Sequence, residues 1–133
     1  MKMIDKLAWL HIVDRKILIT RSRGKTTYYL PGGKREAGET DQVALIREIE
    51  EELSVTLNPE SLQHMGTFEA QAHGQSEGVV VRMTCYSGDD YQGTLTPASE
   101  IEEMTWFTYQ DKAKTSAVDH LIFDWLLEQK LID

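Results

Sequence analysis

Apolar positions near the start of the chain fall into two runs, 7–13 and 16–20, separated by the polar pair Asp14-Arg15. Runs rich in β-branched and aromatic residues and closed by polar ones predict the two strands of a hairpin. The first run is apolar at nearly every position, which predicts a strand covered on both faces by helices. The basic segment 21–25 reads as a loop, 28–30 as a short strand, and Pro31-Gly32-Gly33 as a turn. A helix is expected from about Thr40, and Asn58-Pro59 marks the end of that region. Strands are expected at 63–72 and at 78–86, where Val79, Val81, Met83 and Cys85 alternate with Val80, Arg82, Thr84 and Tyr86. Shorter strands are expected at 93–96 and 104–109. Over 117–130, Leu121, Ile122, Trp125, Leu126 and Gln129 recur at helical spacing and predict a helix packed on a sheet. This order predicts an α+β fold, an α/β/α sandwich, rather than a regularly alternating parallel one.

Composition narrows the function classes. A chain of 133 residues with three Pro and no low-complexity tract is expected to form one domain over 1–133. A formal net charge of −8 argues against nucleic acid as a partner, because such binding needs Lys and Arg to neutralise backbone phosphates. The run 7–13 is too short and wrongly flanked for a secretory signal, and no stretch is long enough to span a membrane, so the expected location is cytoplasmic. Cys85, the single cysteine, lies in an apolar strand and is expected to be a buried, inert thiol.

The segment 31–53, PGGKREAGETDQVALIREIEEEL, changes the picture most. At about 100° per residue, Val43, Ile46, Ile49 and Leu53 form one side of the helix, with Leu45 at its edge. Arg47, Glu48, Glu51 and Glu52 form the other, which predicts these acids on the solvent side, with Glu50 as a bystander. An acidic run on a helix is ordinarily a solvated face. Here, however, Gly32-Gly33 introduces the helix and lets backbone approach a ligand closely. Glu48, Glu51 and Glu52 can converge on one point, and oxygen ligands of this kind suit Mg²⁺. Arg47 can pair with Glu39 and tie the loop to the helix.

These residues resemble the Nudix box: Gly33, Glu39, and then Arg47-Glu48-Ile49-Glu50-Glu51-Glu52-Leu53-Ser54-Val55. Every charged position of the family pattern is met. Ser54 stands where the family has Gly, which bears on the turn after the helix rather than on the chemistry. The resemblance implies a Nudix fold with a mixed β-sheet. It implies Mg²⁺ or Mn²⁺ held by Glu48, Glu51, Glu52 and the Gly32 carbonyl, with Glu39 and Arg47 as braces and a distal acid, Glu100 ahead of Glu103.

The activity implied is metal-dependent hydrolysis of a pyrophosphate bond in a nucleoside diphosphate linked to another group. Metal would neutralise phosphate oxygens and activate water, while Glu48 or Glu100 takes the proton. A MutT-like nucleoside triphosphate pyrophosphohydrolase is expected, ahead of an enzyme for ADP-ribose or nucleotide sugars and ahead of a non-catalytic nucleotide sensor. The expected partner is thus a small nucleotide, and the resemblance is compatible with a homodimer. Arg21 and Lys34 are candidates to grip phosphate. Tyr29, Tyr28 and Phe68 are candidates to stack on a base, against the ordinary role of strand aromatics in a core. His73-Gly74 is a further candidate to reach substrate.

Overall fold

The computed structural model describes residues 2–72 and 78–133. In chain order the strands are β1 (Lys2–Trp9), β2 (Ile12–Val13), β3 (Lys16–Ser22), β4 (Gly32–Lys34), β5 (Thr56–Leu57), β6 (Gln63–Gln71), β7 (Val79–Ser87), β8 (Tyr91–Gln92) and β9 (Ile101–Phe107). Among the described residues the α-helices are α1 (Asp41–Leu53), between β4 and β5, and α2 (Ala117–Glu128), after β9. A four-stranded mixed sheet has the order β4-β1-β7-β6, with β1 and β7 parallel and the outer pairs antiparallel. A second sheet, β2-β3-β9, is antiparallel.

Alternation along β1 sends side chains to two cores. Leu7 and Trp9 pack with Ala44, Leu45, Ile49 and Leu53 of α1. Ala8 packs with Val81, Met83 and Cys85 of β7 and with Val118, Ile122, Phe123 and Leu126 of α2. A helix thus covers each face of the strand layer, the α/β/α sandwich of the expected α+β class. Cys85 is buried in the α2-side core, and burial pushes its thiol pKa up. Among the described residues no helix is long and apolar enough to cross a membrane.

A hairpin turns at Asp14-Arg15 as expected, both at positive φ (52° and 64°), the turn geometry that matches strand twist, but its first arm is only Ile12–Val13, because residues 7–9 belong to β1 in the other sheet. Other boundaries move. The first strand starts earlier, at Lys2, because its whole length pairs with β7. Residues 28–30 are no strand and make only isolated bridges, Tyr29 to Thr20 and Tyr28 to Thr115. The strand lies instead at Gly32–Lys34, where a turn was expected, and Leu7 stands opposite Gly33. A Cβ on Gly32, whose φ is +143°, would lie 2.0 Å from the Leu7 carbonyl oxygen, so glycine is what lets this edge press against β1. Tyr91–Gln92 pairs with β5 in place of a strand at 93–96, and β9 begins at Ile101 rather than at 104.

Both helices bury a face rotated from the expected one. In α1, Leu45 is buried and Val43 is 53% exposed, so the inward stripe runs through 45, 49, 52 and 53. In α2, Val118 and Phe123 are inward and Leu121 is exposed.

Candidate active site

Thr40 caps α1, its hydroxyl accepting from the Val43 amide at 3.2 Å. The loop ahead of the helix is fixed by one arginine. Arg47 donates to both oxygens of Glu39, from Nε at 2.7 Å and Nη2 at 2.8 Å, and from Nη2 to the Lys34 carbonyl at 3.1 Å. The Glu36 amide adds a bond to Glu39 at 2.8 Å. Hydrogen bonds from Arg47 above all, then from that amide, hold the Glu39 carboxyl down at about 2, and the pairing raises Arg47 in turn.

Glu52 is in the opposite position. It was expected on the solvent side, but it is 7% exposed. The rotation of the α1 stripe turns it inward, under the Gly32 edge strand. The Gly32 amide donates to its Oε1 at 3.0 Å. Desolvation pushes its carboxyl up to about 8, against that hydrogen bond, with Glu48 and Glu100 adding to the rise and Lys6 opposing it.

Glu48, Glu52 and Glu100 line one cleft of about 440 Å³, together with Gly32, Gly33, Lys34 and Tyr29. Burial also raises Glu48, although Arg47 donates to its Oε1 at 3.0 Å. Its carboxylate fills the place of the missing Gly33 side chain: a Cβ there would lie 2.4 Å from the Glu48 carboxyl carbon. Glu100 stands in the turn before β9, where Ser99 chiefly lowers its pKa. Arg23 braces this turn, its amide donating to the Glu100 carbonyl at 2.8 Å and Nη2 to the Ser99 carbonyl at 3.1 Å.

Other candidates lie apart from the cleft. The Glu51 side chain is 56% exposed, its Oε2 3.6 Å from Arg47 Nη1, and it is not a cleft residue. Among the described residues no three His, Cys, Asp or Glu side chains stand ready-assembled around one metal position. The Arg21 guanidinium is engaged by Glu103 at 3.1 Å and by the Lys25 carbonyl at 2.9 Å, and it too is not a cleft residue. Tyr28 packs on Phe107, with ring centroids 4.9 Å apart, and donates to Glu103; Phe68 packs on Trp125. His73 and Gly74 lie outside the described residues.

Ser54 itself takes the left-handed exit, with φ 66°. A side chain in that conformation costs about 1 kcal/mol relative to glycine. The Ser54 hydroxyl offsets part of this by donating to the Thr96 carbonyl at 3.1 Å.

Sequence reasoning missed Lys6, Ser116 and Asp119. Lys6 and Ser116 line the cleft. Asp119, fully buried behind them, accepts from the Ser116 hydroxyl at 2.9 Å, and its Oδ1 completes no hydrogen bond. Desolvation raises it to about 6. The spacing Ser116-x-x-Asp119 at a helix start is a capping signal that was readable in the chain.

A sandwich whose acidic helix is strapped by an arginine to a glycine-edged strand, opening on a carboxylate-lined cleft, defines a class of enzyme. The NUDIX domain model matches residues 7–126, and the chain belongs to that family. It is a hydrolase acting on pyrophosphate linkages in nucleotide-linked substrates. A CTP pyrophosphohydrolase of Escherichia coli (strain K12) is 28% identical over 110 residues, 80% of this chain and 76% of that one. The fold is also that of the E. coli ORF135 protein in solution, with TM-score 0.78 and 23% identity over 98% of this chain and 92% of that one. A MutT NUDIX hydrolase from Burkholderia pseudomallei gives TM-score 0.74 and 22% identity over 97% and 98%.

Proposed function

We propose that the protein is a metal-dependent, MutT-like nucleoside triphosphate pyrophosphohydrolase that uses Mg²⁺ or Mn²⁺. The observation that carries this is Glu52, a buried carboxylate in an open cleft with two more carboxylates and one amide donor for company. Ionising a carboxylate in that setting is costly, and a hard divalent cation with oxygen ligands would relieve it. Glu48, Glu52 and the Gly32 carbonyl would hold the ion, and Glu51 would complete the set by turning from its place beside Arg47 toward the cleft.

When bound, the ion neutralises phosphate oxygens and acidifies water. Arg47 holds Glu48 by Oε1. Glu48 and Glu100 both line the cleft, and one of them would take the proton from the attacking water. Lys34 and Tyr29 both line the cleft, where Lys34 would neutralise phosphate charge and Tyr29 would contact the base. The relative that acts on CTP supports a triphosphate as substrate.

The test is phosphate release across nucleoside triphosphates, nucleotide sugars, dinucleoside polyphosphates and ADP-ribose, with Mg²⁺, Mn²⁺ or chelator; a coupling pyrophosphatase reports products that include pyrophosphate, and an added phosphatase reports products that are monoesters. Metal-dependent turnover of triphosphates to monophosphate and pyrophosphate is expected. Turnover confined to another class, or surviving chelation, would overturn the proposal.

A further inference from the structure

Lys6 breaks the pattern of the surface it stands on. Along β1 its neighbours on the same face are Ile4 and Ala8, and beside it on β7 are Val81, Met83 and Cys85, all part of or packed against the α2-side core. An apolar side chain is what this row calls for. A lysine there instead sends an ammonium into the cleft, which it lines with Tyr29, Met83 and Val118. Its Nζ lies 5.7 Å from the Tyr29 ring centroid. No described carboxylate forms an ion pair with it, although its field reaches both Glu52 and Asp119.

The register gives its distance from the chemistry. Ala8 stands opposite Gly32, whose amide holds Glu52, and Lys6 stands opposite Lys34. Two residues along a strand is about 7 Å. A phosphate seated at the Glu52 end would leave the sugar and base to lie along the cleft, which Lys6 lines with Tyr29 and the apolar floor. Apolar walls with a small number of placed polar groups are how pockets fix the orientation of a planar ligand.

We propose that Lys6 is a specificity-determining residue, its ammonium donating to a carbonyl oxygen or ring nitrogen of the nucleobase. This inference rests on reading the cleft as a nucleotide site. It predicts discrimination among bases, whereas a phosphate grip or a purely structural counter-charge would affect every nucleotide alike.

The experiment is kcat/KM for CTP, UTP, ATP and GTP with wild type, Lys6→Met and Lys6→Arg. A hydrogen bond from a charged donor predicts that Lys6→Met loses about tenfold or more on the preferred base. The spread between best and worst base should shrink by a similar factor, and Lys6→Arg should restore part of it. A common factor across all four bases, unchanged selectivity, or a wild type without base preference would overturn the inference and leave the pyrophosphohydrolase reading intact. A wild type that hydrolyses none of the four would instead sink that reading. Lys6 is then judged from calorimetric binding of the four nucleoside monophosphates. A base-selective loss in Lys6→Met supports it; a uniform loss, no loss, or no binding by wild type overturns it.

Discussion

Glu39 and Glu52 lie thirteen positions apart on one loop and helix, and their surroundings pull them in opposite directions. Glu39 receives two bonds from Arg47 and one from an amide, and its carboxyl is held at about 2. Glu52 receives one amide, loses its water, faces two other carboxylates, and rises to about 8. The first carboxylate is satisfied by the protein and works as a strut. The second is left short of positive charge in an open cleft, which is the condition in which a carboxylate is useful for holding a cation.

The sharpest way to break this comparison is to neutralise Glu52. Glu52→Gln is expected to lower kcat/KM by at least about 100-fold, about 2.7 kcal/mol of barrier. Yet it should raise the metal-free Tm at pH 8, because it removes a buried charge while keeping the shape. A variant that is both active and less stable would show that Glu52 is a strut like Glu39. Gly33→Ala should come next. Gly33 is not at positive φ, so the new methyl acts by displacing the Glu48 carboxylate that now occupies its place. A displacement of that order predicts a loss of about 10- to 100-fold in kcat with a near-normal Tm. Unchanged kcat would mean that the position of Glu48 is not critical.

The Arg47–Glu39 strap was legible because a bidentate arginine–carboxylate pair is set by residue type and spacing, whereas of the three helix acids expected to converge only Glu48 and Glu52 share the cleft. The rotation of the helix was not legible. An apolar stripe at 43, 46, 49 and 53 and one at 45, 49 and 53 fit the same periodicity, and the choice depends on what the helix packs against. Leu45 faces the buried pair Leu7 and Trp9, and that tertiary contact carried Glu52 inward. Gly32-Gly33 read as a turn because glycine signals one locally, while here it permits close approach of two strands. Lys6 was invisible for a related reason. A lysine at the start of an apolar run looks like a strand end until the partner strand shows that its row continues on both sides.

The pH dependence of stability should carry both halves of the comparison. Glu39, with its pKa lowered to about 2 from a reference of 4.5, contributes stability that is present above 4.5 and is lost as pH falls toward 2. Glu52, raised from 4.5 to about 8, has the reverse sign: the folded state holds the proton more tightly, so metal-free stability falls as pH rises between those values. Thermal melts of the metal-free protein should therefore peak near pH 4.5 to 5 as far as these two groups decide it. Glu39→Gln should flatten the acid limb and Glu52→Gln the alkaline one. Millimolar Mg²⁺ should raise Tm more at pH 8 than at pH 5, because protons and metal compete for the same carboxylates. Equal shifts at the two pH values would count against Glu52 as a ligand.

The smallest effect tests whether Asp119 is a second group of the Glu52 kind. It is buried, with its pKa raised from 3.8 to about 6, so it takes part in the fall of stability only between those values. Asp119→Asn keeps the shape, and its amide oxygen can still accept from Ser116. The expected result is a shallower slope of Tm between pH 4 and 6, with the slope above pH 6, which belongs to Glu52, unchanged. A change above pH 6 as well would mean that the two carboxyls titrate as a coupled pair across the cleft wall, with Lys6 as the charge that links them.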